Sequence, residues 1–87
     1  LSKERGRRLD MIRVINSIFE LGFFVDENGR KSNKKDVFAV FGHAMNVDLS
    51  NYSHDLSSSL TDSTSMNKHL KIFEDMLDMM KKIFNLA

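Results

Sequence analysis

The feature that most constrains this chain is the spacing of its closing segment. From Met66 onward, large apolar residues recur alternately four and three apart: Met66, Leu70, Phe73, Leu77, Met80 and Phe84. An α-helix advances about 100° per residue, so this spacing draws one continuous stripe along one side of a helix. Ile72, Met76, Met79, Ile83 and Leu86 widen the stripe. The pattern predicts a helix from Met66 to Leu86, roughly 30 Å long at a rise of about 1.5 Å per residue. Lys68, Lys71, Glu74, Asp75, Asp78, Lys81 and Lys82 interrupt it with charge, so it is no membrane span. Packing into a core is the expected use of most of this stripe. The remainder suits a dimer or an inter-domain contact, and the adaptable thioethers of methionine fit either use.

With 87 residues, there is room for one domain around one core. Nothing approaches the run of about 20 apolar residues that crosses a bilayer, so no membrane partner is expected. Cysteine is absent, which removes disulfides, thiolate metal sites and cysteine nucleophiles and fits a cytoplasmic setting. The chain opens at Leu1 rather than methionine. Residues 1–7 therefore read as a basic arm or linker from an upstream region, and residues 8–87 as a single helical domain.

Three further helices precede the closing one. Leu9, Ile12, Ile15, Ile18 and Phe19 share a face of a helix from about Arg8 to Leu21, which Gly22 closes. Phe23–Val25 and Arg30–Lys31 flank Asn28-Gly29, a dipeptide suited to a type I′ turn, so a short hairpin is expected near 23–31 with Phe23 or Val25 inward. A second helix starts at Ser32 or Asn33, with Asn33 and Asp36 in capping-box spacing, and ends at Asn46. Its inward set reads as Val37, Phe38, Val40, Phe41, Ala44 and Met45. A third begins near Ser50, with Tyr52, Leu56 and Leu60 facing inward. The fold class is mainly α, a small four-helix domain.

Chemistry finds little to work with. His43, His54 and His69 fall on three separate helices, with no acidic partner in a metal-binding spacing. The serines, including Ser57-Ser58-Ser59, sit in no strained nucleophile turn, and the glycines form no phosphate-cradling loop. No catalytic residue, metal site or cofactor is expected.

Charge is distributed unevenly. Residues 1–35 carry nine Lys/Arg against five Asp/Glu, whereas residues 36–64 carry Asp36, Asp48, Asp55 and Asp62 with no cation. The second and third helices have the proportions of a helix-turn-helix, in which the second member offers its early residues to a major groove. On that reading Ser50, Asn51, His54, Asp55, Ser57 and Ser58 face outward. Ser50, Asn51, His54, Ser57 and Ser58 are the candidates for base contacts. Phosphate contacts would fall to Lys31, Lys34, Lys35 and Lys68, with the arm residues Lys3, Arg5, Arg7 and Arg8 in support.

From about Leu9 onward the chain resembles the C-terminal domain of the RteC family. The resemblance is carried by Ile15–Phe24, the Asn28-Gly29 turn, Val37–Phe41, the segment Met45–Tyr52 and the Leu70, Phe73, Leu77, Met80 spacing. It implies a winged-helix-like domain that contacts double-stranded DNA, within bacterial regulators that activate excision of conjugative transposons. One departure matters. The family tends to place Arg and Lys between the tyrosine-bearing helix and the last helix, where this chain has Leu56–Ser65 without a positive charge. The expectation is thus a DNA-binding regulatory domain. The alternative is a helical protein-interaction or dimerisation module that has lost DNA binding and uses the 66–86 helix for a homodimer or a neighbouring domain.

Overall fold

A computed structural model describes the backbone of residues 1–60 and 66–86 and the side chains of residues 1–57 and 70–85. Four helices follow one another: α1 (Arg7–Glu20), α2 (Lys34–Met45), α3 (Tyr52–Leu60) and α4 (Met66–Leu86). Helix α1 lies against the other three, and α4 also meets α3. The fold is the mainly α, small helical arrangement expected from periodicity.

The helix ends are set by backbone chemistry. Beyond α1, the Phe23 N–H donates to the Ile18 carbonyl (3.3 Å) and the Gly22 N–H to that of Phe19 (3.0 Å). This closure needs a left-handed residue, and Gly22 takes φ 83° without a Cβ to oppose it. Asn33 caps α2, its Oδ1 accepting the Lys35 N–H at 2.8 Å. Asn46 closes α2 at φ 54°, the one non-glycine residue with positive φ among those described. Its neighbour Val47 donates to the Gly42 carbonyl at 2.9 Å.

Ile12, Ile15 and Phe19 of α1 meet Val37 and Phe38 of α2 and Leu49 of the connection. Phe38 is 1% exposed and Leu49 2%. Around them Phe24 meets Phe41 edge to face (5.7 Å), and Tyr52 stacks on Phe38 with centroids 4.1 Å apart. Gly42 is also buried. A Cβ there would stand 2.8 Å from the Val47 carbonyl oxygen, so only glycine lets the connection fold this tightly over α2.

Several expectations are corrected. The hairpin near 23–31 is reduced to one antiparallel bridge between Val25 and Lys31. Asn28 does not adopt positive φ, so the turn is not type I′. Instead the Asp26 side chain accepts the N–H groups of Asn28 (2.8 Å) and Arg30 (3.0 Å), and Gly29 alone turns left-handed. Phe24, not Phe23 or Val25, faces inward, where its ring packs edge to face on Phe41. On α2, Val40 and Ala44 are exposed, since no element among the described residues covers that flank. The apolar stripe of α4 is only partly used. Ile72 and Phe73 are half-buried, whereas Leu77 and Phe84 are 57% and 72% exposed.

Candidate functional site

The connection into α3 is built from side-chain caps. Asp48 accepts the Ser50 N–H at 2.9 Å. The Ser50 hydroxyl and backbone hydrogen bonds, with the nearby Arg8 guanidinium, hold the Asp48 carboxyl below its ordinary range. Tyr52 and Leu56 point toward the core, as their spacing predicts. Ser50, Asn51, His54 and Ser57 are exposed. The Ser57 hydroxyl donates to the Ser53 carbonyl (2.9 Å), so its proton is engaged within the helix. The Leu60 and Ser58 side chains and the Lys68 side chain lie outside the described residues.

Asp55 departs from the outward position expected of it. Its side chain is 17% exposed and meets the Arg8 guanidinium at 3.1 Å. Asp55 is the sole carboxylate of α3. Turning it toward α1 leaves the outer face of that helix with small polar groups and no formal negative charge of its own.

The lysines divide into two groups. Lys31 and Lys34 converge on the end of α1, with amines 3.8 Å and 2.9 Å from the Glu20 carboxylate. Both also stand over the Phe19 ring, at 4.7 Å and 5.3 Å from its centroid. The Lys34 hydrogen bond, then the Lys34 and Lys31 charges, hold the Glu20 carboxyl below its ordinary range. These two amines are committed to an intramolecular clamp. Lys35 makes no ion pair among the described residues, and it lines a hollow of about 350 Å³ together with His43, Ser50, Tyr52 and Ser53.

A second groove, about 550 Å³, runs between α1, α3 and α4 and is walled by Arg13, Lys34, Ser53, Leu56, Leu70 and Phe73. The structure therefore brings Lys35 beside Ser50 and Ser53, leaves Lys34 at the groove edge while tied to Glu20, and places Lys31 in neither hollow. Ser53 borders both hollows and escaped the sequence reading, although it lies one helical turn beyond Ser50. Arg8 was counted only as part of a basic arm. Its role in neutralising Asp55 depends on how α1 crosses α3.

No protein-family model, curated protein or solved structure matches this chain. Among the described residues, no three His, Asp or Glu side chains gather in a metal-binding group, and no helix is long and apolar enough to cross a membrane.

The other conspicuous surface belongs to α4. Seven large apolar side chains between Leu70 and Phe84 are each 46% exposed or more: Leu70, Met76, Leu77, Met79, Met80, Ile83 and Phe84. Lys71 pairs with Asp75 on the opposite, charged side.

Proposed function

We propose that this chain is a DNA-binding regulatory domain that acts in the bacterial cytoplasm, as its resemblance to the RteC family implies. In this reading α2, the connection 46–51 and α3 serve as a helix-turn-helix, and the first turns of α3 meet base edges. The observation that carries it is the inward Arg8–Asp55 pair. With the Asp55 carboxylate paired, Ser50, Asn51, Ser53 and His54 stand exposed around the start of α3, and Ser50 and Ser53 share a hollow with Lys35 and the Asp48 carboxylate. Such groups read base edges, and a nearby amine contributes phosphate attraction. Lys3 lines a neighbouring hollow beside Asn46 and Val47, where Arg8 is already paired with Asp55.

The test is a titration against duplex DNA over a range of salt concentrations. Each phosphate contact contributes about one unit to the salt slope, so Lys35→Ala should flatten the slope by about one and Lys31→Ala should leave it unchanged. Replacing Asn51 or His54 by alanine should alter sequence preference at constant slope. Absence of duplex binding at low salt contradicts the reading.

A second reading is favoured by the exposed apolar face of α4: a protein-contact module in which that helix meets another molecule. Patches of a few hundred Å² or more on a small domain mark interaction surfaces. Leu77→Asp, on a side chain already 57% exposed, should abolish such a contact without unfolding the domain.

A further inference from the structure

We propose that α4 pairs with α4 of a second copy of this chain, antiparallel, about a two-fold axis passing between Leu77 and Met80. The proposal rests on the second reading above and adds the identity and direction of the occupant.

Three observations argue for it. The first is area. The exposed apolar side chains from Leu70 to Phe84 on the seam and its margins, Met79 apart, offer on the order of 600 Å², about three quarters of the roughly 800 Å² per partner that stable interfaces bury. The second is periodicity. Leu70, Phe73, Leu77, Met80 and Phe84 keep the alternating three-and-four spacing of a helix-pairing seam, in which each side chain enters a gap on a facing helix. A seam of this type is satisfied by another helix of the same kind.

The third is complementarity of the flanks. Glu74 and Lys81 directly follow the seam residues Phe73 and Met80, whereas Met76 and Ile83 directly precede Leu77 and Phe84. One margin is therefore charged and the other apolar. In an antiparallel pair like margins meet: Glu74 comes opposite Lys81 of the second copy, twice by symmetry, and Met76 comes opposite Ile83. A parallel pair would set Met76 against Lys81 and place charge on apolar surface.

The same register brings Phe84 of the second copy, the counterpart of a side chain 72% exposed here, opposite Phe73. Phe73 and Leu70 wall the groove that α4 shares with Tyr52 and Leu56, so the incoming ring finds a concave apolar seat.

The experiment uses the full chain, whose lack of cysteine makes single thiols unambiguous reporters. Sedimentation should show a dimer. Leu77→Asp should weaken it by about a hundredfold or more, because it places a charge at the centre of the interface, with an unchanged helical circular dichroism spectrum. A mixture of Glu74→Cys and Lys81→Cys proteins should be joined by a short bismaleimide into the mixed dimer in preference to either like-with-like product.

A chain that stays monomeric up to millimolar concentration overturns the pairing. A dimer that survives Leu77→Asp overturns the α4 face as the contact and the second reading's support for self-association with it. A dimer that dissolves on Leu77→Asp yet gives no preferred mixed product keeps α4 as the contact and overturns the antiparallel register alone.

Discussion

Two regions of this molecule are written in the same residues and used differently. In α1, Ile12, Ile15 and Phe19 recur three and four apart and are almost wholly buried. In the second half of α4, Leu77, Met80 and Phe84 recur at the same spacing and stand about half exposed or more. What separates them is company. Helix α1 has α2, α3 and α4 around it, whereas among the described residues α4 packs chiefly on α1 and α3. Periodicity tells which side of a helix is apolar; the number of facing elements decides whether that side becomes core.

The comparison can be broken by substitutions on each side of it, taken here from the largest expected effect to the smallest. Phe38→Ala removes a side chain that is 1% exposed and stacked on Tyr52, and should cost about 3–5 kcal/mol in denaturant unfolding. A loss below about 1 kcal/mol would mean that the body is not the cooperative core. Gly42→Ala should cost about 1–3 kcal/mol in the same assay. Its Cβ meets a backbone carbonyl at 2.8 Å, a clash that outweighs the better helix propensity of alanine. An increase in stability would show that the connection over α2 is looser than described.

Asn33→Ala removes the side-chain acceptor for the Lys35 N–H and should cost about 1 kcal/mol, with Asn33→Asp nearly neutral. The smallest effect concerns pH. Glu20 titrates below its ordinary value of 4.5 because Lys34 and Lys31 favour its charged form. A depressed folded-state pKa adds stability above the unfolded value, and that contribution is lost as pH falls through the depressed one. In an NMR titration the Glu20 midpoint should rise in Lys34→Ala, and a midpoint that stays put would remove the clamp at the end of α1.

Much of the fold was legible in the chain because it depends on local chemistry. Gly22, Asn33 and Asn46 mark helix ends by their own backbone and side-chain preferences, and all three act where they were expected. Tyr52 and Leu56 turn inward as their spacing requires. The turn after α1 was harder to read. Alternation groups Phe23 with Val25 against Phe24 but does not say which set faces inward, and only Phe41 across the gap decides it. Asp26, rather than Asn28, takes up the turn N–H groups.

The candidate site was less legible still, because its electrostatics come from tertiary pairs. Asp55 is paired with Arg8, and Lys31 and Lys34 share the single carboxylate of Glu20. Each pairing joins α1 to a distant segment. No spacing rule within α2 or α3 anticipates which cations remain available beside Ser50 and Ser53.

The sharpest measurement is the unfolding free energy of Leu77→Asp, taken in solution dilute enough to keep the chain monomeric. If the outer face of α4 belongs to another molecule rather than to this domain's own interior, the variant should stay within about 0.5 kcal/mol of the parent. A loss of about 2 kcal/mol or more, the size expected for a charge placed in a core, would contradict that division of the molecule.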